Sequence, residues 1–461
     1  MRILLTNNSL AARAGSELYI RDLAVELMRR GHQPVAYSTY LGAVAGELRA
    51  ATIPVIDRLE SLGAPPDIIH GQHHYETLSA LLRFPGIPAL YYCHGWLPWE
   101  EATLQHPNIQ YYVAVDELCR ERLIAEGGID PGRVEVILNF FDERLFPPRT
   151  PLPRKPKLAL IFSNDFREGA ELNTLKEACA RYGIELHVRG LHNGNPSDRP
   201  GSLLAAYDIV FAKARSAIEA LAVGAAVVLC APGKLGPMVT SRNFAPLRQW
   251  NFGIRTLDRT LDVDLVAAEL EKYDSADAAR VSQLTREACE LQPAVDRILE
   301  LYQRVLAAAQ HEPADSSRAS ASASGYLERW APVYKNHFGI MADRDLWYDR
   351  CRAVELAFEE RERRIVAASS AAENALAGQT RLREDAEREV GNLRAVLNCR
   401  DAEVARLSRE LASVRSSATW RWTQALLQSP PVQLLFGGLI RSVAQHRLPA
   451  KSPTPVTPLG D

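Results

Sequence analysis

The fold is set by residues 2–37, which read RILLTNNSLAARAGSELYIRDLAVELMRRGHQPVAY. Residues 3–5 and 34–37 are short apolar runs of the kind that suits strands buried on both faces. Between them lie a polar loop over 7–14 and a periodic helical segment that ends at Gly31. A strand, a helix and a second strand in this order predict a parallel sheet flanked by helices.

The same alternation continues along the chain and is interrupted by a proline-rich stretch. Five prolines within 147–156 exclude a helix or an inner strand, so this stretch is predicted to be a linker. We therefore expect an N-terminal α/β domain over 1–146 and a similar second domain over 157–312, with a long closing helix at 282–310. The remaining strands are predicted at 67–70, 89–93, 111–115, 134–138, 158–162, 184–188, 208–212 and 226–230.

The sequence changes character after a Ser/Ala-rich segment, 313–325, which is predicted to be a flexible linker. Over 326–415 we expect a helical region whose apolar residues recur at spacings of four and three, a pattern typical of a coiled coil. A single helix packed on the α/β body is the alternative. The repeating positions are Ala386, Val390, Leu393, Leu397, Val404, Leu407, Leu411 and Val414.

The last segment, 416–461, is basic and amphipathic. No acidic residue occurs over 413–460, and Trp420 and Trp422 flank Arg421 ahead of a short apolar stretch. This combination is typical of a helix that lies in a membrane interface. The alternative is a tail that packs on a partner chain.

Composition narrows the function classes. The 461 residues include 54 Lys and Arg and 56 Asp and Glu, and the formal charge of -2 argues against binding nucleic acid through bulk positive charge. Seven scattered cysteines without a Cys-x-x-Cys pair are expected to be free thiols in a reducing cytosol. The sequence has neither an 18-residue apolar run nor a signal-like start, so we expect a cytoplasmic protein without a membrane span.

The loop after the first strand ends in Gly15, Ser16 and Glu17, at the start of the predicted helix. A glycine at this point lets a ligand approach free backbone amides, which favour an anion. No G-x-G-x-x-G motif is present, so a dinucleotide fingerprint is excluded. Taken alone, Gly15 is interpreted as a tight turn.

The strongest candidate site lies in the second domain. Lys213 and Arg215 stand where a helix is expected to begin, so their charges suit a diphosphate together with the free amides of Ser216 and Ala217. Glu219 follows one turn later in an apolar stretch, where a carboxylate without a partner is costly. We predict that it accepts hydrogen bonds from ribose hydroxyls, although a solvated surface turn would also tolerate the two cations.

His94 directly follows the predicted strand 89–93. The carboxyl end of a parallel strand faces the crevice in which such sheets bind ligands, so His94 is a candidate site residue, with a polar loop residue as the alternative. His70, His73 and His74 have the side chain of a metal ligand. Their flanks offer no close carboxylate and no further spaced ligand pair, so no metal is expected.

Several of these motifs, taken in order, resemble the retaining glycosyltransferases of the family-4 type, which have the GT-B fold. The opening is similar to the family's small-Gly-x-Glu loop, Leu-Ala-x-x-Leu helix (here 23–27) and Arg-Gly-His turn (here 30–32). Residues 134–147 resemble its end-of-domain signature, Val-Ile-x-Asn-Gly-Val-Asp with a downstream Phe-x-Pro, except that Phe140 replaces the glycine. The resemblance covers residues 1–310.

The resemblance implies two Rossmann-like domains that face each other across a cleft, followed by the helical coiled-coil extension. It also implies that Arg167 holds the diphosphate of a nucleotide sugar, which Lys213 and Arg215 are predicted from their own segment to bind. Glu219 matches the second glutamate of the family pattern and His94 the histidine that contacts the transferred sugar, so both are assigned to the catalytic site. The loop of Gly15 would contact sugar and acceptor. Metal and other cofactors are not expected for this type of enzyme.

Two departures from the family pattern concern the donor site. The first glutamate of the family's Glu-x7-Glu pattern would fall at Phe211, and Glu168 replaces the lysine expected beside Arg167. Lys213 and Arg215 are therefore predicted to substitute for the missing cation, with decayed donor binding as the alternative.

The expected function is that of a hexosyltransferase-like enzyme (EC 2.4) that moves a sugar from a nucleoside-diphosphate sugar to a glycan or lipid-linked acceptor. Residues 416–423 resemble a Ser-x-x-Trp-Arg-x-Thr segment of bacterial surface-polysaccharide glycosyltransferases, which implies polysaccharide synthesis at the inner face of the plasma membrane. A homodimer through the coiled coil is expected. The alternatives are a non-catalytic GT-B-like adaptor and a nucleotide-sugar epimerase.

Overall fold

The computed structural model describes residues 1–190, 199–311, 315–373 and 380–416. The predicted basic tail, 416–461, lies outside these residues apart from Ser416. The contacts divide the chain into two units, Met1–Gly325 and Tyr326–Asp461. Within the described part of the chain, no helix is both long enough and sufficiently apolar to cross a bilayer.

The first lobe is a seven-stranded parallel sheet with the strand order β3-β2-β1-β4-β5-β6-β7. Its strands are β1 Arg2–Thr6, β2 Gln33–Tyr37, β3 Val55–Ile56, β4 Ile68–Gln72, β5 Ala89–Cys93, β6 Ile109–Ala114 and β7 Val134–Val136. Its helices are α1 Gly15–Arg29, α2 Ala43–Ala50, α3 His74–Arg83 and α4 Glu117–Ala125. The central strands are fully buried because helices cover both faces of the sheet, which explains their continuous apolar runs.

The second lobe is a six-stranded sheet with the order β13-β12-β11-β10-β8-β9, in which β12 and β13 are antiparallel to their neighbours. Its strands are β8 Leu158–Phe162, β9 Glu185–Arg189, β10 Ile209–Ala212, β11 Ala226–Ala231, β12 Lys234–Met238 and β13 Arg259–Thr260. Its helices are α5 Ala170–Arg181, α6 Pro200–Leu204, α7 Ala214–Val223, α8 Phe244–Gln249, α9 Val263–Leu270 and α10 Ser275–Ala288. The prediction of two α/β units in tandem is confirmed.

The predicted closing helix at 282–310 differs from the structure, which divides it into α10 and α11 Leu291–His311. Between the two, the backbone of Phe141 bonds the carbonyl of Cys289 and the amide of Leu291, each at 3.0 Å. Pro293 lies in the first turn of α11, where its missing N–H costs no helical hydrogen bond. The interruption lets α11 turn away from the second lobe.

Helix α11 packs on the first lobe. The Tyr302 hydroxyl lies 2.7 Å from Nδ1 of His70, and the guanidinium of Arg304 lies 4.5 Å from the centre of the Tyr111 ring. Arg297 donates to the carbonyl of Val136 at 3.0 Å. The two lobes are therefore joined twice, by residues 147–156 and again by the segment between α10 and α11.

The segment 316–325, predicted to be a flexible linker, is helical. It forms the start of α12 Ser316–Glu373, which is followed by α13 Thr380–Ser416. Ser and Ala are compatible with a helix, and Asp315 caps its first turn by accepting from the backbone N–H of Ser317 at 2.8 Å. The prediction of a flexible linker over 316–325 is therefore wrong, because these residues form the capped first turns of α12.

The second unit contains the heptad positions. Within it, ion pairs tie α13 to α12 of the same chain: Arg361 to Glu389 at 2.9 Å, and Arg394 to Glu362 at 3.0 Å. Ala386, Val390, Leu393, Leu397 and Val404 are half-buried, whereas Leu407 is exposed. The predicted helix is present, and the coiled coil stays a prediction.

We expect the stability of the protein to decrease below pH 6.5 because of His70. Burial lowers the pKa of His70 to about 3, so between about pH 6.5 and pH 3 the unfolded chain binds a proton that the folded chain does not. The free energy of unfolding should then fall by up to about 1.4 kcal/mol per pH unit as the pH is lowered, from this group alone.

The measurement is urea denaturation at pH 7, 6 and 5. His70→Gln should show a shallower pH dependence than the wild type, and the exposed His311→Gln serves as the control. If the free energy of unfolding depends on pH equally steeply in His70→Gln and in wild type, His70 does not cause the loss of stability.

Candidate active site

A cavity of about 90 Å³ lies between the two lobes, beside the carboxyl ends of β1 and β8. From the first lobe it is lined by the loop after β1 and the start of α1. From the second lobe it is lined by the loop after β8, by Gly190 and by the start of α7. The polar groups that line it include Arg13, Ser163, Asn164, Arg215, Ser216 and Glu219.

The second-lobe wall requires a glycine at position 190. A Cβ on Gly190 would stand 1.9 Å from the carbonyl oxygen of Ser163, so the loops after β8 and β9 approach too closely for any side chain. Asn164, which follows Ser163 in the sequence, donates from its Nδ2 to the carbonyl of Arg13 at 3.4 Å and so forms a hydrogen bond across the cleft. The cavity is thus bounded by backbone from both lobes.

Arg215 lies at the centre of the cleft with its side chain 9% exposed. Its Nε donates to Oε1 of Glu219, one turn along α7, at 2.8 Å. Its terminal nitrogen donates to Asp22 on α1, and the Asp22 side chain is 2% exposed. A single guanidinium from the second lobe is therefore held by one carboxylate from each lobe.

The ion pairs continue from Asp22 into the first lobe. Arg21 lies 2.6 Å from Asp22 and 2.9 Å from Glu47, and Glu47 also pairs with Arg13 at the cavity wall. Cations and carboxylates alternate along this chain of side chains. Within the described residues, the three arginines are thus matched by the carboxylates of Asp22, Glu47 and Glu219.

Burial and neighbouring charges shift the pKa values of Arg215 and Glu219 in opposite directions. Burial lowers the pKa of Arg215, but the carboxylates of Asp22 and Glu219 outweigh it, so its pKa is raised above the ordinary arginine value. Burial raises the pKa of Glu219, and the charge of Arg215 offsets that rise in part. Buried charges are tolerated when they are paired and hydrogen-bonded in this way.

The start of α7 is held in a conformation that is unfavourable for its sequence. Ala214 has a φ of 49°, in the left-handed region that glycine prefers, and its N–H donates to the carbonyl of Phe252 at 2.8 Å. Such a residue costs of the order of 1–3 kcal/mol and persists where the surroundings impose it. The strain lies next to Arg215 and fixes the direction in which its side chain leaves the helix.

Two of the predicted donor residues lie away from the cavity wall. Lys213 pairs with Asp165 at 2.8 Å, both on the second lobe and partly exposed. Arg167 is exposed in the loop after β8.

The predicted loop residues of the first lobe lie close to the cavity. Glu17 is buried and accepts from the Ser16 hydroxyl at 2.9 Å, beside Gly15 at the cavity. The structure brings Gly15, Arg215, Ser216 and Glu219 to one cavity and does not place Lys213 or Arg167 on its wall.

His94 lies in an aromatic layer of the first lobe. Its ring stacks on Tyr92 at 5.2 Å and meets the edge of Tyr19 at 4.7 Å. Burial lowers the pKa of His94 to about 4. Its Nε2 is buried without a hydrogen-bond partner among the described residues. The imidazole is therefore neutral at pH 7 and keeps one nitrogen available for a polar group.

Glu101 positions both His94 and His73, and sequence reasoning missed it. It accepts from the backbone N–H of His94 at 2.9 Å and lies 3.4 Å from Nε2 of His73, whose Nδ1 accepts from the N–H of Asn8 at 3.0 Å. Burial would lower the pKa of His73, but Glu101 outweighs it and the pKa is raised. His73 itself has a φ of 61°, so its backbone is strained as well.

Two of the histidines whose side chains could bind a metal have other partners. His70 is paired with Tyr302, and His73 is paired with Glu101. Among the residues that the structure describes, no group of three or more His, Cys, Asp or Glu side chains is arranged to hold a metal ion. Asp22 was also missed. The available signal was a carboxylate within the apolar face of α1, between Tyr19 and Leu23.

The family Glycosyltransferase Family 4 matches residues 13–145. The chain is similar to a glycosyltransferase from Rickettsia africae ESF-5, with a TM-score of 0.50 and 16% identity over 66% of this chain and 98% of that one. No curated protein matches the chain.

Two further solved structures are similar over most of their length. Anabaena Alr3699/HepE in complex with UDP and glucose has a TM-score of 0.47 and 17% identity over 66% of this chain and 99% of that one. A protein from Listeria monocytogenes that is named a putative UDP-N-acetylglucosamine 2-epimerase has a TM-score of 0.43. Its identity is 13% over 68% of this chain and 96% of that one. The predicted GT-B fold is confirmed, with two Rossmann-like lobes that face a cleft and a helical region after them.

Replacing Glu101 by Gln should lower the pKa of His73, because the carboxylate that raises it is removed. The pKa is measured by NMR titration of the imidazole protons. Glu100→Gln is the matched control, since Glu100 also raises this pKa but by less. Equal decreases in the two variants would show that Glu101 does not act as described.

Proposed function

We propose that this GT-B-fold chain, whose first lobe contains a family-4 segment, is a glycosyltransferase. It transfers a sugar from a nucleoside-diphosphate sugar to a glycan or lipid-linked acceptor, with retention, in the synthesis of a cell-surface polysaccharide. The observation that carries this proposal is the placement of Arg215, Ser216 and Glu219 on the wall of the interlobe cavity.

The start of α7 supplies what a leaving diphosphate needs. Negative charge grows on the diphosphate as the glycosidic bond breaks, and fixed positive charge in a site sheltered from water stabilises it. Arg215 provides that charge together with the positive end of the α7 dipole. The Ala217 amide, predicted to be free, donates to the carbonyl of Lys213 at 3.4 Å. Lys213 reaches the same group when it leaves Asp165, and Arg167 lies on the loop beside it.

Glu219 and His94 act on the rest of the donor. Glu219 accepts hydrogen bonds from the ribose hydroxyls and is held in place by the Nε of Arg215. His94, neutral and with a free Nε2, hydrogen-bonds a hydroxyl of the transferred sugar. The side chains of the site include no evident nucleophile, which agrees with retention in which the donor phosphate takes the acceptor proton. Metal ions and other cofactors have no part in this mechanism.

The position expected for the first glutamate of the family pattern is a core position. Phe211 is fully buried in β10 among the apolar side chains of the second lobe. A carboxylate there would point into the core and not into the cleft. The first glutamate of the family pattern therefore has no counterpart that faces the cleft at this position.

The extension after residue 325 is proposed to dimerise the enzyme and to hold it at the inner face of the plasma membrane. The helical region supplies the heptad positions, and the basic tail supplies Trp and Arg side chains suited to a lipid interface. The acceptor would then be delivered in the plane of the membrane.

One observation favours the second candidate function, a non-catalytic adaptor. The cations at the cleft face carboxylates of the same chain, and the cavity is far smaller than a nucleotide sugar. A body of this kind would serve as a platform for partners. Failure to bind any UDP, GDP or ADP sugar in calorimetric titration would favour the adaptor over the enzyme.

We expect Glu219→Gln and Lys213→Ala each to weaken donor binding about tenfold or more, because each removes a charged hydrogen-bonding group. The measurements are calorimetric affinity for a panel of nucleotide sugars and turnover of radiolabelled donor, including hydrolysis with water as acceptor. Lys176→Ala, an exposed lysine on α5, is the control. Equal turnover in wild type and both site variants would show that the site is misplaced.

We expect a chain that ends at Gly325 to be monomeric and to stay in the supernatant when bacterial membranes are sedimented. The full-length chain should dimerise and sediment with them. Light scattering gives the mass, and vesicle sedimentation gives the binding. A truncated chain that still dimerises and still sediments would refute the role of the extension.

A further inference from the structure

The cavity at the start of α7 is small. Pockets that hold a ligand of drug size measure about 300–1,000 Å³, whereas the cavity lined by Arg215, Ser216 and Glu219 measures about 90 Å³. A nucleotide sugar at the start of α7 therefore requires the lobes to separate there. The contacts between the lobes at this cavity oppose that separation.

Among the described residues, the ion pair of Arg215 with Asp22 is a buried contact between the lobes at this cavity. Both side chains are less than a tenth exposed, and Arg21 and Glu219 complete their hydrogen bonding. Another interlobe ion pair, Arg255 with Glu121 at 2.7 Å, has side chains that are 50% and 53% exposed. Exposed pairs contribute little, and a buried pair is costly to break at one side only.

Asp22 also occupies the position that a donor needs. A guanidinium binds a carboxylate and a phosphate through the same planar arrangement of N–H donors. Arg215 already uses its Nε on Glu219 and a terminal nitrogen on Asp22. A diphosphate at the start of α7 competes with both carboxylates for the positive charge of Arg215, and only Asp22 belongs to the other lobe.

We infer that Asp22 is a positioning residue that holds Arg215 and keeps the two lobes together, and that the donor diphosphate replaces it on Arg215. The inference rests on the proposed function for the identity of the anion. It assigns opposite effects to the two carboxylates that share Arg215. Glu219 keeps Arg215 oriented for the diphosphate, whereas Asp22 competes with the diphosphate.

The first experiment measures binding of UDP, GDP and ADP to the full-length chain by calorimetry. Asp22→Asn keeps the size of the side chain and removes its charge, so the nucleoside diphosphate that binds the wild type should bind this variant about tenfold more tightly. Glu219→Gln should bind it more weakly. Glu121→Gln, which removes the exposed interlobe carboxylate, should bind as the wild type does. A purely structural role for Asp22 would give weaker binding.

The second experiment measures the distance between the lobes without any nucleotide. Spin labels are placed at Tyr40→Cys on the first lobe and Tyr182→Cys on the second, where the native side chains are 70% and 42% exposed. Cys351 and Cys399 are replaced by Ser, because the other five cysteines are buried. Double electron–electron resonance measures the distance between the two spin labels. Its distribution should be longer or broader for Asp22→Asn than for wild type and Glu121→Gln.

The two experiments separate this inference from the proposed function. If the wild type binds no nucleoside diphosphate and Asp22→Asn still opens the lobes, the interlobe role of Asp22 stands and the donor assignment fails. If the wild type binds and Asp22→Asn neither opens the lobes nor binds more tightly, the inference is overturned and the function stands. Opening without tighter binding overturns the exchange on Arg215.

Discussion

A buried guanidinium between two carboxylates joins the two lobes of this protein. Arg215 comes from the second lobe, Asp22 from the first, and Glu219 orients the arginine from its own helix. Removing such charges from water is expensive, and the expense is offset only while every partner is in place. The cleft is thus held by the same groups that are suited to bind an anion in it.

The first lobe contains a second buried arrangement that depends on one carboxylate. Glu101 joins the strained residue His73 to the backbone of His94, at the carboxyl edge of the sheet where the cleft opens. The neighbouring aromatic rings exclude water, which keeps His94 neutral. Glu101 thus fixes a neutral histidine in the interior of the first lobe, whereas Asp22 and Glu219 fix Arg215 at the cavity wall.

Much of the fold was predictable because parallel strands buried on both faces leave a strong apolar signal. The strands around β1, β4 and β5 and the helix beginning at Ala214 were found in this way. The strands β3, β12 and β13 were not predicted, because β3 and β13 have only two residues each and β12 contains Gly236 and Pro237. The break before α11 was also missed, although Pro293 marks its first turn, because the backbone of Phe141 that causes it is distant in the sequence.

The sequence by itself determined the α/β class, the two lobes and the candidate anion site, because these follow from local periodicity and from charged residues beside a helix start. Arg215 and Glu219 were identified from their own segment. Tertiary structure alone decided that Asp22 meets Arg215 across the cleft, that Lys213 turns to Asp165, and that α11 returns to the first lobe. Such pairings join residues far apart in the chain, and local sequence carries no record of which carboxylate a buried cation will meet.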